Sequence, residues 1–77
     1  MRRVDMKFSY KKLMKVLIDR DMKKKELQEL AGISSASVAK LVKSENVNTD
    51  ILLRICIALE CNISDIMELV SDDKEVN

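Results

Sequence analysis

The stretch that most constrains the fold is residues 23–43, KKKELQELAGISSASVAKLVK, which surrounds the only glycine of a chain that has no proline. A lone glycine usually marks a point where the backbone needs a positive φ or a close approach. Gly32 therefore predicts a tight corner between two short helices, one over about residues 24–31 and one that starts at Ser34. The Ser34 hydroxyl can accept a hydrogen bond from the first turn of the second helix.

The side chains of this unit divide into an inner and an outer set. Apolar residues at helical spacing should pack together across the corner: Leu27, Leu30, Ala31, Ile33, Val38 and Leu41. Short or cationic residues occupy the outer face of the second helix: Ser35, Ala36, Ser37, Lys40 and Lys43. A helix with such a face can enter a nucleic-acid groove.

Helical periodicity continues on both sides of the unit. It predicts a first helix over about residues 10–20, a fourth over about residues 49–60 and a fifth over about residues 63–70. Five short helices with short connectors predict an all-α fold, a compact five-helix bundle with a small core.

The two ends of the chain differ from its centre in composition. We expect a basic arm at residues 1–8, one helical domain at residues 9–70 that contains the unit at residues 23–43, and an acidic tail at residues 71–77. The arm could contact phosphates, pair as a strand or remain a frayed terminus.

Charge is distributed unevenly along the chain. Residues 1–46 carry 12 Lys or Arg and 6 Asp or Glu, a net charge of +6, whereas residues 47–77 carry 2 and 7, a net charge of −5. This asymmetry favours one surface that meets a polyanion, although small helical domains also scatter charge without such a role. Three lysines at residues 23–25 oppose the dipole of the second helix, a cost that a docked phosphate would reverse. A solvated lysine run is the alternative.

Composition also excludes several classes of partner and location. The aromatic residues are Phe8 and Tyr10, which disfavours base stacking on single strands or RNA. The longest apolar run is five residues, at 55–59, too short for a membrane span or a secretory signal. We therefore expect a cytoplasmic protein with no membrane partner.

The residues needed for catalysis or metal binding are scarce. There is no histidine and no glycine-rich phosphate loop, so we expect no enzymatic activity and no cofactor. Cys56 and Cys61 are too few to hold zinc. They are expected to act as small core residues, with a redox switch as the alternative.

Several motifs in order resemble the Cro/C1-type (XRE-like) helix-turn-helix family of bacterial and phage repressors. They are Met22-x4-Leu27, Leu27-x3-Ala31-Gly32-Ile33-Ser34, Val38-x2-Leu41 and Ile55-Cys56-Ile57-Ala58-Leu59 followed by Asn62. The resemblance implies the five-helix bundle of a lambda-repressor-like DNA-binding domain, with the third helix, about residues 34–43, in the DNA major groove. Gln28, where the family usually has a small residue, and Ser44, where glycine is frequent, depart from its pattern.

The resemblance also implies roles for single residues. The base-contact candidates are Ser35, Ala36, Ser37 and Lys40. The phosphate-contact candidates are Lys23, Lys24, Ser34, Lys43 and Asn46. Because serine and alanine discriminate bases poorly, modest specificity and some indirect readout are expected.

The combined interpretation is a small transcriptional regulator that binds double-stranded DNA sequence-specifically, with no small-molecule ligand evident. One recognition helix reads few base pairs, so a homodimer is expected at least on DNA. The candidate interface is Ile57, Met67, Leu69 and Val70, or else Met14 and Ile18. The alternative function is a protein-interaction module, an antitoxin or a cofactor of another regulator, with weak DNA affinity.

Overall fold

A computed structural model describes residues 6–71 of the protein. The elements in order are strand β1 (Met6–Ser9), helices α1 (Lys11–Asp19), α2 (Lys24–Ala31), α3 (Ser35–Val42) and α4 (Thr49–Leu59), a 3-10 helix (Ile63–Asp65) and strand β2 (Glu68–Ser71). The basic arm expected at residues 1–8 lies outside the described residues as far as residue 5, and the acidic tail expected at residues 71–77 does so from residue 72. Within residues 6–71, no helix is both long and apolar enough to span a membrane.

Each of the four α-helices is followed, within two residues, by a residue in the left-handed conformation. The φ angles are 55° at Asp21, 69° at Gly32, 59° at Ser44 and 54° at Glu60. After each of these residues, the next backbone N–H donates to a carbonyl five residues back; for α3 the Glu45 N–H donates to the Lys40 carbonyl at 2.8 Å. This is the six-to-one bond of the Schellman motif, which satisfies carbonyls left free at a helix end. The predicted corner at Gly32 is thus confirmed.

Helices α2, α3 and α4 each begin with a hydrogen bond to a side-chain acceptor, and the acceptor differs in each. The Ser34 hydroxyl accepts a hydrogen bond from the Ser37 N–H at 3.1 Å, as predicted for the start of α3. The Asn48 side chain accepts one from the N–H of Ile51 at 3.1 Å at the start of α4. At α2, Lys23 has no side-chain acceptor, and its own backbone N–H donates to the Glu26 carboxylate at 2.7 Å.

A single apolar core is shared by all the helices. It consists of Tyr10, Leu13, Leu17, Leu27, Ala31, Ile33, Val38, Leu41, Leu52, Ile55, Leu59 and Ile66. Leu30 was expected to pack across the corner, but its side chain is 57% exposed. The core side of α2 is narrow because Leu27 and Ala31, one turn apart, face inward together and Leu30 lies beside them.

The prediction of a fifth α-helix is wrong, and the fold is not purely all-α. A 3-10 helix of three residues replaces its first turn, and the chain then enters β2, which pairs antiparallel with β1. Residues 68–71 exchange local helical bonds for bonds with residues 6–9, and Ile66, between the two elements, is fully buried. A partner strand some 60 residues away leaves no trace in local periodicity.

The two-stranded ribbon has an inner and an outer face. Phe8 pairs with Leu69 and Ser9 with Glu68. Because side chains alternate along a strand, Met6, Phe8 and Leu69 share the outer face, opposite the buried Ser9. The three apolar side chains are 43–56% exposed.

Candidate nucleic-acid interface

The start of α3 presents its side chains to solvent. Ser35, Ala36 and Lys40 are exposed, whereas Ser37 is half-buried. The Ser37 hydroxyl lies 3.0 Å from the Ser34 hydroxyl, whose oxygen already accepts the Ser37 N–H. Ser35, Ala36 and Lys40 therefore offer the freer surface, and Ser37 would have to exchange its hydroxyl contact to reach a base.

Lysines surround this surface on the α2 side. Lys24, Lys25 and Lys43 line one shallow depression between α2 and α3 together with Ser35. Lys23 lies at an adjoining groove that it shares with Lys24. These lysines are exposed, and none of them forms a salt bridge within residues 6–71. Their ammonium groups are thus available for contacts with phosphates.

The buried side chain of Tyr10 lies next to the connection between α3 and α4. Asn46 is exposed in this connection, and the neighbouring Val47 packs against the core. The side chain of Tyr10 is 2% exposed, and burial raises the pKa of its hydroxyl, while a hydrogen bond with the Val47 backbone partly opposes that rise. Tyr10 therefore links the first helix to the segment that carries Asn46.

Arg54, which no motif in the sequence marks, joins α4 to the corner. Its Nε donates to the Asp50 carboxylate at 2.8 Å, and its Nη1 lies 3.5 Å from the Gly32 carbonyl. The spacing of Asp50 and Arg54 on one helix face is readable from the sequence. The contact with Gly32 is not, because it depends on how α4 crosses the corner.

The candidate dimer residues differ in how much surface they offer. Ile57 is 67% exposed and Leu69 is 56% exposed, whereas Met67 and Val70 are half-buried. Of the other two candidates, Ile18 is 77% exposed and Met14 half-buried. The outer ribbon residues Met6 and Phe8 were not anticipated, because their neighbourhood with Leu69 arises only from the strand pairing.

Comparison with known proteins identifies the family of this domain. A family model of the Cro/C1-type HTH DNA-binding domain matches residues 12–72, most of the chain. The chain belongs to this Cro/C1-type family. No curated protein matches the sequence significantly.

A solved structure shares the fold of this Cro/C1-type domain. A crystal structure of the transcriptional regulator VanUg is similar with a TM-score of 0.85 and 49% sequence identity, over 94% of this chain and 96% of that one. The two proteins thus agree over nearly their whole lengths. In the Cro/C1-type domain described here, α2 and α3 follow one another and are joined at Gly32.

Proposed function

We propose that the protein is a transcriptional regulator that binds double-stranded DNA sequence-specifically, with α3 in the major groove. The observation that supports this most directly is the exposed start of α3 beside lysines with no salt-bridge partner within residues 6–71. The family membership and the similarity to VanUg, a transcriptional regulator, favour the same conclusion. The dimensions of an α-helix fit the major groove.

Phosphate contacts supply most of the affinity in this proposal. Lys23 and Lys24 at the start of α2, and Lys43 at the end of α3, would hold the phosphates on either side of the groove. Ser34 and Asn46 would add neutral hydrogen bonds to the backbone. Each lysine that neutralises a phosphate releases a counterion, so the affinity falls with salt in proportion to the number of such contacts.

Base contacts come from the first two turns of α3. Ser35 and Ser37 can donate or accept single hydrogen bonds, Ala36 offers apolar contact to a thymine methyl, and Lys40 can reach guanine acceptors. None of these makes the bidentate contact that discriminates most strongly. The half-site is therefore short and weakly specified, and part of the specificity comes from DNA shape.

A homodimer supplies the missing specificity by joining two half-sites about 34–36 Å apart. The surface best suited to self-association is the exposed apolar outer face of the ribbon, where Phe8 lies opposite Leu69, together with Ile57 on α4. The apolar side chains on this outer face are 43–56% exposed, so a second copy would cover apolar area that now faces solvent. Leu69→Lys should produce a monomer in sedimentation, with weaker binding to a palindromic site.

Selection of bound duplexes from a random pool at two salt concentrations tests the main proposal. We expect a short enriched motif, repeated with two-fold symmetry. Lys24→Ala should weaken binding to all sequences and reduce the slope of log K against log salt by about one. Lys15→Ala is the matched control, because Lys15 is exposed on α1 and does not line the depression between α2 and α3. Equal losses for the two variants would argue against a phosphate site at the start of α2.

Lys40 tests base reading separately. Lys40→Ala should weaken binding to the enriched site more than to random DNA. A loss of equal size on both would assign Lys40 to the phosphate backbone.

The alternative, a protein-interaction module with weak DNA affinity, is favoured by the exposed apolar side chains outside the α2–α3 surface. Leu53, Ile57 and Ile63 are 47–67% exposed. A pull-down with and without nuclease separates the two functions. A defined partner that persists after nuclease, with no motif enriched from the duplex pool, would favour this alternative.

A further inference from the structure

The C-terminus of α4 brings the only two cysteines of the chain together. The Cys61 N–H donates to the Cys56 carbonyl at 3.1 Å, and the Glu60 N–H donates to the Ile57 carbonyl at 3.3 Å. With Glu60 at a φ of 54°, these bonds form a Schellman motif. In this motif the side chains at the two ends of the longer bond commonly contact each other. Here those two side chains are both thiols.

The corresponding positions at α1 show the ordinary use of this contact. There the Met22 N–H donates to the Leu17 carbonyl at 2.8 Å, and both side chains belong to the apolar core or pack against it. A pair of aliphatic residues would therefore serve the same structural purpose at α4. The thiols add a chemistry that packing does not require.

The two thiols are adjacent and open to solvent on one side. Both are free and half-buried, and both line a cleft whose other residues are Ile57, Glu60, Asn62 and Asp65. Burial, followed by the neighbouring Cys56 thiol, raises the pKa of Cys61. Asp65 adds to that rise and Arg20 opposes it. Within residues 6–71, no group of three cysteine or carboxylate ligands is close enough to hold a metal ion.

We propose that Cys56 and Cys61 form a reversible dithiol–disulfide site that reacts with low-molecular-weight disulfides. In the first step the thiolate of one cysteine attacks one sulfur of the small disulfide, which gives a mixed disulfide and releases one small thiolate. In the second step the thiolate of the other cysteine attacks the sulfur of the first, forms the Cys56–Cys61 bond and releases the second thiolate. The protein loses two electrons and two protons, and the small disulfide becomes two thiols.

The position of the site follows from the same geometry. Either thiol can start the exchange, because both line the same open cleft. The cleft contains Ile57 and none of the residues that line the depression between α2 and α3. The site is therefore separate from the proposed DNA surface and adjoins one residue of the proposed dimer surface.

Equilibration of the full chain with mixtures of reduced and oxidised glutathione tests the proposal. After an acid quench and alkylation, intact-mass spectrometry should show a species that has lost two hydrogens and carries no alkyl group. Cys56→Ser and Cys61→Ser should instead accumulate one glutathione adduct, and circular dichroism checks that both variants remain folded. Because the fold holds the thiols in contact, the native protein should form the intramolecular disulfide at least ~10-fold more favourably than the protein in urea.

Three results would overturn the proposal. One is an equilibrium constant in the native protein equal to or below that in urea. Another is glutathione adducts or intermolecular dimers in place of the internal disulfide. The third is thiols that react only after the protein unfolds.

Discussion

Replacement of Gly32 by alanine probes the corner on which the α2–α3 unit depends. Gly32 has a φ of 69° and a ψ of 38°, a conformation that costs a residue with a Cβ about 1–2 kcal/mol. Alanine also restricts the unfolded chain, which offsets about 0.4–1 kcal/mol of that cost. A Cβ at this position would lie 3.6 Å from Nη1 of Arg54, an ordinary contact that adds no steric penalty. The free energy of unfolding should therefore fall by about 1 kcal/mol, and the Tm should fall by roughly 4–8 °C.

A second variant distinguishes backbone strain from crowding. Asparagine is larger than alanine but tolerates the left-handed conformation better. If strain sets the cost, urea unfolding followed by circular dichroism should rank Gly32 above Gly32→Asn and Gly32→Asn above Gly32→Ala. If crowding against Arg54 sets it, asparagine should be the worse replacement. A Gly32→Ala protein as stable as the original would refute the reasoning.

Three further variants test the stability of the fold. Leu27 is fully buried, so Leu27→Ala should lower the free energy of unfolding by about 2–4 kcal/mol through the cavity it leaves. Leu30→Ala on the same helix should change it by less than about 0.5 kcal/mol, because the Leu30 side chain is largely exposed. Comparable losses for the two variants in urea titrations would contradict the burial pattern. Ser44 has a φ of 59°, so Ser44→Gly should raise the free energy of unfolding by about 0.5–1 kcal/mol. A drop in Tm for Ser44→Gly would mean that its half-buried side chain contributes more than its backbone conformation costs.

Local rules were sufficient for the helices of the motif. The Gly32 corner and the Ser34 cap depend on residues within five positions of one another, and a single sequence is enough to recognise such short-range chemistry. The β-ribbon is the opposite case. Residues 6–9 and 68–71 become strands only because each supplies the other with hydrogen-bond partners, and neither segment carries a strong strand pattern of its own.

The candidate site likewise combines features that short-range sequence rules predict with features that depend on how the helices pack. Exposure of Ser35, Ala36 and Lys40 follows from the phase of α3 relative to its buried residues, which the sequence contains. The grouping of Lys24, Lys25 and Lys43 around one depression depends on the angle between α2 and α3, and the sequence does not specify that angle. The Arg54–Gly32 contact was missed for the same reason.

Glu26 connects the stability of α2 to the proposed binding of phosphate. Its carboxylate accepts the Lys23 N–H at 2.7 Å, so it both caps the helix and places a negative charge where a phosphate would dock. Glu26→Gln keeps an oxygen acceptor and removes the charge. The dipole interaction is worth about 0.3–1 kcal/mol, so the free energy of unfolding should fall by about that amount while DNA binding tightens by roughly two- to five-fold at low salt.

Glu29→Gln removes the same charge from an exposed position nearer the C-terminal end of α2 and serves as the matched control. It should change binding less than Glu26→Gln, because the dipole interaction fades within the first turn. DNA titrations by fluorescence anisotropy at two salt concentrations separate a local effect from one of net charge. Weaker binding by a folded Glu26→Gln protein would mean that Glu26 positions the start of α2 for DNA, and that its charge does not compete with the phosphate.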